Sequence, residues 1–156
     1  MKIRHALAVK GYGGSFWKDE EAIKKGIKRD GFLYMGKPIT PGFEAICQPS
    51  EAISIILILD DNRIAIGDCC TVTYSARAGR DPLFRSDYYI PFIREKILPL
   101  LIGREITHFR EMAEDFDNFR VDGKRLHAAI RYGVTQSLLD AVAQSHNRMM
   151  AEVISE

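Results

Sequence analysis

Cysteine is scarce in this chain, and its arrangement suits neither a disulfide scaffold nor a zinc site. Cys47, Cys69 and Cys70 are odd in number. The adjacent pair cannot easily close an unstrained bond, and no Cys-x-x-Cys spacing occurs. They read as buried, reduced thiols, with a reactive thiol at Cys69-Cys70 as the alternative. Excess charge of one sign is also missing. Twenty-two Lys and Arg against 21 Asp and Glu leave a net +1, too little to draw nucleic acid or anionic lipid over long distances. The longest apolar run, residues 53–59, is interrupted by Ser54 and is far too short to span a bilayer. Met1-Lys2-Ile3-Arg4-His5 has neither the apolar core nor the cleavage site of a secretory signal. Together these absences predict a cytoplasmic protein with no nucleic-acid or membrane partner.

What is present is an ordinary globular composition. Of 156 residues, 46% are hydrophobic and 28% charged, which excludes disorder. A chain of this length buries roughly two-thirds of its unfolded surface in one domain. A (β/α)₈ barrel alone takes about 250 residues, so no complete barrel fits beside a second domain.

The pattern along the chain predicts strands first and helices after. Ile3, Ala6, Ala8 and Val9 open a strand that Gly11-Tyr12-Gly13-Gly14 should end as a mobile turn. A short charged helix is expected within residues 18–28, stopped by Gly26. Residues 30–43 mix Gly31, Gly36, Pro38, Pro41 and Gly42 with Phe32, Leu33, Tyr34, Met35 and Phe43, the composition of a loop that closes over something. Residues 53–59 and a return strand from Ile64 to about Tyr74 form a hairpin around Asp60-Asp61-Asn62-Arg63, a turn tolerant of positive φ. A helix is predicted over 88–101, with Pro91 in its first turn and Pro99 at its end. Thr107 is the expected N-cap of the next helix, with Phe109, Met112, Ala113, Phe116 and Phe119 inward. Leu126, Ala129, Ile130, Val134, Leu138, Ala141 and Val142 repeat at helical spacing to about Gln144. A further helical turn spans 149–154 with no closing cap. The fold class is α+β: an antiparallel three-stranded meander sheet followed by a helical bundle.

Few residues look chemical. Asp60-Asp61, Glu20-Glu21, Asp68 and Glu114-Asp115-Asp117 read as solvated faces. His5, His108, His127 and His146 share no metal-ligand spacing. Neither a P-loop nor a nucleophile elbow is present. Arg77 and Arg80 either hold an anion at the following helix or, with Asp81, tie the loop. No catalytic residue and no metal ligand is expected on this chain.

Several motifs carry a resemblance. Gly67-Asp68-Cys69 leads into Tyr74-Ser75 and Gly79-Arg80-Asp81-Pro82-Leu83-Phe84. Leu101-Ile102-Gly103-Arg104-Glu105-Ile106-Thr107 precedes Arg125-Leu126-His127-Ala128-Ala129-Ile130-Arg131-Tyr132-Gly133. With Ala22-Ile23-Lys24-Lys25-Gly26 and Asp30-Gly31-Phe32, they resemble the N-terminal capping domain of methylaspartate ammonia-lyase, in the enolase superfamily, from Met1 to about Ile154. The resemblance implies that residues 1–156 form one cap over the active site, with the catalytic barrel absent from this chain. That chemistry needs carboxylates converging on magnesium and a Lys or His base. By resemblance these stand on barrel strands, together with magnesium and a potassium ion if one is used.

One position departs from the family pattern: Thr73 stands where a glutamine reaches the amine end of the substrate. The resemblance makes Thr73 the substrate-binding residue to expect here and leaves the exact amino-acid substrate open. An ordinary strand threonine is the bland alternative. The expected assembly is a hetero-oligomer in which this chain is the small subunit and a large subunit carries the barrel. It would eliminate ammonia from a 3-methylaspartate-like amino acid to give mesaconate. The alternatives are a truncated fragment of a full-length lyase, or a stand-alone binding domain. Phe32, Leu33, Tyr34 and Met35, with Met149, Met150 and Val153, are expected to form exposed apolar surface.

Overall fold

The computed structural model describes residues 1–71 and 81–155. Strand β1, Ile3–Lys18, is followed by the short helix α1, Glu20–Lys24, and by the small hairpin β2, Lys28–Asp30, and β3, Leu33–Met35. The long strand β4, Cys47–Leu59, then pairs antiparallel with both β1 and β5, Ile64–Cys70, in the order β1-β4-β5. This is the α+β arrangement expected, a three-stranded antiparallel sheet preceding helices.

The glycines do not end the first strand. β1 continues through them to Lys18, and its register with β4 shifts between Tyr12↔Glu51 and Phe16↔Pro49. Residues 13–15 bulge out, and Pro49, which has no N–H to offer a ladder, sits beside the irregularity. The Ser15 hydroxyl donates to Ser50 Oγ across it at 3.1 Å. Density of glycine signalled a break, whereas the pairing partner on β4 carries the strand across.

Helix α2, Ser86–Phe92, a π-helical turn, Ile93–Ile97, and α3, Leu98–Leu101, occupy the stretch predicted as one helix. Pro91 lies inside α2 rather than in its first turn, and Pro99 follows directly on the widened turn. A proline ring clashes with the carbonyl four residues back, and a π-turn relieves that clash. Helix α4, Phe109–Asn118, starts one residue later than expected: His108, not Thr107, is its N-cap, and no side chain caps it. A two-stranded β6–β7 hairpin, Arg120–Val121 and Lys124–Arg125, leads to α5, Ala128–Ser145, and then to α6, Met150–Ile154. His127 and His146 are the two caps of α5 rather than residues within it.

Alternation along the strands decides which face is covered. Ala6, Ala8, Ile53, Ile55, Leu57 and Ala65 point inward with Val134, Leu138 and Val142 of α5, all buried. Leu7, Val9, Ile64 and Ile66 stand on the opposite face, exposed. Helix α5 lies across β5 and β4, flanked by α4 and α6, while α2 and α3 pack against β1. Asn62, in the hairpin turn, adopts φ 69°. Val153, expected at the surface, is instead part of the core; Met149 and Met150 are exposed as anticipated.

Candidate functional site

The ends of the sheet are uneven, and this creates the candidate site. β5 pairs with β4 only as far as Ala52↔Cys70, whereas β1 and β4 run on together to Lys18↔Cys47. Beyond the end of β5 this two-stranded arm carries the β2–β3 hairpin at its tip. Gly31, at φ 56°, supplies the left-handed residue that so tight a turn requires. Phe32 beside it is 91% exposed, Leu33 is 70% exposed, and Met35 also faces solvent, while Tyr34 is half-buried.

Two buried carboxylates hold the loop that follows the tip. Asp19 is fully buried and caps α1 through Ala22 N–H at 3.2 Å. It also accepts from Ile39 N–H at 2.5 Å, Thr40 N–H at 2.9 Å and the Thr40 hydroxyl at 2.7 Å. Burial pushes its pKa upward, but the Thr40 hydroxyl and the three N–H donors outweigh this, so it lies below the usual aspartate range. Glu51 is the second. Its Oε2 accepts from Ser86 N–H at 2.6 Å and from the Ser86 hydroxyl, and its Oε1 forms an ion pair with Arg85 Nε at 2.9 Å. Arg85 in turn donates to the Gly42 carbonyl at 2.8 Å and to Glu44 at 2.6 Å. The start of α2, the middle of β4 and the 42–44 loop are thereby tied together. Neither carboxylate was singled out from sequence, though Asp19 before Glu20-Glu21 is an N-cap signature. Glu51 at the head of an apolar strand was the other signal.

Thr73, Arg77 and Arg80 lie outside the described residues. The anchors on either side of their segment are well defined. Cys69 is buried under α5, and the Thr71 hydroxyl is buried without a hydrogen-bond partner among the described residues. On the far side, the Asp81 carboxylate accepts from Ala128 N–H at 3.1 Å, a favourable place for a negative charge at the start of α5. His127 Nε2 bonds the Pro82 carbonyl at 2.9 Å while Nδ1 accepts from Ala129 N–H at 3.0 Å. The neutral Nε2–H tautomer satisfies both partners. Phe84 packs beside the rings of Tyr89 and His127.

Several of the remaining polar candidates are committed to structure. Asp60 accepts from Lys2 N–H, Asp61 pairs with Arg63, Glu21 with Lys25 and Asp115 with Arg104. Asp117 contacts Arg131 and Arg125, and the Arg131 bond holds its carboxyl below the ordinary range. Asp68 accepts from the Ser54 hydroxyl at 2.6 Å. Burial pushes both the Cys69 and Cys70 thiols up, which speaks against a reactive thiolate. His108 and His146 line one groove between α4, α5 and α6, yet among the described residues no three His, Cys, Asp or Glu side chains converge as a metal site. The donor set of the described residues does not fit magnesium. No helix among the described residues is long and apolar enough to cross a membrane.

Comparison with known proteins agrees with this architecture. The family described as the methylaspartate ammonia-lyase N-terminus matches residues 1–156. Methylaspartate ammonia-lyase of Clostridium tetanomorphum is 51% identical over 156 residues, covering 100% of this chain and 38% of that protein. The crystal structure of β-methylaspartase from the same organism, a magnesium complex, superposes with a TM-score of 0.95 at 52% identity over 99% of this chain and 37% of its own. The Citrobacter amalonaticus enzyme containing (2S,3S)-3-methylaspartic acid gives a TM-score of 0.95 at 47% identity over 99% of this chain and 38% of its own. This chain thus spans about 38% of the length of the relatives it matches. It belongs to the family of methylaspartate ammonia-lyase N-terminal domains.

Proposed function

We propose that this chain is the cap of a methylaspartate ammonia-lyase-type active site and carries none of its catalytic groups. The observation that supports this reading best is the β2–β3 tip: an apolar point on a two-stranded arm, next to the 39–40 loop that buried Asp19 holds, in a chain that matches the lyase N-terminus throughout. Apolar side chains so exposed are suited to covering a neighbouring surface. Laid over a barrel mouth, they exclude water, and a drier site strengthens the charge interactions that stabilise a developing carbanion. Magnesium and the base are assigned to the barrel, and no step on this chain runs through them. Thr73 is proposed to contact the substrate near its amine.

The barrel is proposed to be a separate large subunit, giving a hetero-oligomer that converts a 3-methylaspartate-like amino acid to mesaconate and ammonia. A barrel continuing the same polypeptide is the second reading. It is favoured by the relatives, in which this domain is 38% of one longer chain, and it uses the same surface. Purification from the native source, with mass measurement and an ammonia-release assay on (2S,3S)-3-methylaspartate plus magnesium, tests both. A co-purifying barrel of about 250 residues supports the first, and one longer chain supports the second. Either species failing to release ammonia, or ammonia release by residues 1–156 alone, overturns the capping role.

A further inference from the structure

A groove of about 550 Å³ opens between the β2–β3 tip and the far end of the β1–β4 arm. Phe16, Phe32, Leu33 and Tyr34 give it apolar walls, and two cations, Lys18 and Arg29, line it with them. Its one bordering carboxylate, Glu44, is already engaged by Arg85 at 2.6 Å. Among the described residues neither Lys18 nor Arg29 forms an ion pair. Arg29 is held over the ring of Tyr34, its cross-strand partner, at 5.5 Å from the centroid. A guanidinium on an aromatic face keeps its charge and loses conformational freedom in advance. On the hairpin itself Lys28 and Arg29 stand with one acid, Asp30. Lys18 and Arg29 are thus two groove-lining cations with no carboxylate paired to them among the described residues.

We propose that this groove is a carboxylate-collecting site that guides dicarboxylates toward the pocket the domain covers, an inference that rests on the capping reading above. Charge on both sides of the reaction favours it. The amino dicarboxylate carries one net negative charge near neutral pH, and the ammonia-free unsaturated dicarboxylate carries two. A cationic cleft with apolar walls raises the local concentration of such anions and the rate of their capture. Because the attraction scales with ligand charge, capture of the dianion, the amination direction, is the more strongly assisted. Salt screens the effect, over about 10 Å at 0.1 M.

The test compares kcat/KM in both directions, at low and high ionic strength, for the enzyme holding this domain and its Lys18→Gln/Arg29→Gln variant. The expected result is a loss at low salt of about 10-fold for the dianion, smaller for the amino acid and shrinking as salt is added. Lys124→Gln, on β7, serves as a charge control with an unchanged salt slope. Parallel salt slopes in wild type and double variant overturn the inference while leaving the capping role intact. A second measurement needs no turnover: the chain is titrated with fumarate and its amide signals at Lys18, Arg29 and Tyr34 are followed. Shifts there that vanish in the double variant support the groove as a carboxylate site even if the enzyme proves inactive and the capping reading falls. Absence of shifts in the wild type overturns it.

Discussion

Gly67 of β5 and Gly133 of α5 are in direct backbone contact: a Cβ built on Gly67 would lie 2.1 Å from the Gly133 carbonyl oxygen. The relation is reciprocal, since a Cβ on Gly133 would lie 2.4 Å from Cys69 N. Both obstacles are backbone, so neither can rotate away. Glycine here allows α5 to lie flat on the strand.

Gly133→Ala should therefore destabilise the fold. Alanine favours a helix interior over glycine by about 1 kcal/mol, so propensity alone predicts a gain. Forced overlap with β5 should reverse the sign and give a net loss of about 1–3 kcal/mol. Urea denaturation measures it. A more stable variant would mean that helix and strand are further apart than the structure has them.

The exposed edge of β5 is sealed by a polar ladder on α5. Asp68 N–H donates to Gln136 Oε1 at 3.0 Å, Ile66 N–H to Asp140 Oδ2 at 2.8 Å, and Gln144 Nε2 donates to the Ile64 carbonyl at 2.8 Å. Four helical residues rise about 6.0 Å and two strand residues about 6.7 Å, so the spacings match over two repeats. Gln136→Ala/Asp140→Ala should cost about 0.5–1.5 kcal/mol per bond at most, because water can reach this edge. The sharper readout is hydrogen exchange: amides of Ile66 and Asp68 should lose protection, while Leu57 in the central strand keeps its own. Unchanged exchange at both edge amides would remove the ladder from the account.

Local signals were legible in the sequence, and contacts between distant segments were not. The apolar run of β4, the Asp60–Arg63 turn and the inward face of α5 follow from neighbours a few residues away, and the structure has them. Asp19 reaches Ile39 and Thr40, Glu51 reaches Ser86, and Gln136 reaches Asp68. Each is a polar residue whose partner lies 20 to 68 positions along the chain, so periodicity carries no trace of it. The glycine-rich stretch of β1 misled for the same reason: local propensity favoured a turn, and pairing with β4 prevailed. At the candidate site, the exposed Phe32 and Leu33 were foreseeable from composition, whereas the meeting of Lys18 of β1 and Arg29 of β2 at one groove needed the fold.

Asp19 predicts a dependence on pH with a definite sign. Its folded pKa is depressed, so the stability it contributes is fully present above the unfolded value of about 3.9 and is lost as pH falls through the folded value. Asp19→Asn, which presents two donors where only acceptors are wanted, should lower stability at pH 7 by about 1–3 kcal/mol. The gap to wild type should stay constant from pH 7 to about 5 and narrow only below about 3.9. Denaturation midpoints across that range measure it. A gap that closes near neutral pH would mean that Asp19 is not the charged anchor of the 39–40 loop.

Thr73 should tune which amino acid is accepted rather than whether ammonia is eliminated. On the proposed assignment of the reaction to the barrel, a cap residue acts on fit. A threonine hydroxyl offers one donor and two lone pairs on a short stem, whereas the glutamine of the family pattern reaches further and presents two donors and a carbonyl. On the proposed contact, the smaller side chain would leave room for a larger substituent on the nitrogen or the neighbouring carbon. Thr73→Gln in the assembled enzyme should therefore change relative kcat/KM among amino acids differing at those positions, by ~1–3 kcal/mol or about 10-fold to 200-fold. Substrates with bulkier substituents should lose most, because the carboxamide occupies the space the hydroxyl leaves free. Loss of activity on every substrate would assign Thr73 to the fold or the chemistry itself. An unchanged ranking would place its side chain out of reach of the pocket and move substrate selection to the barrel.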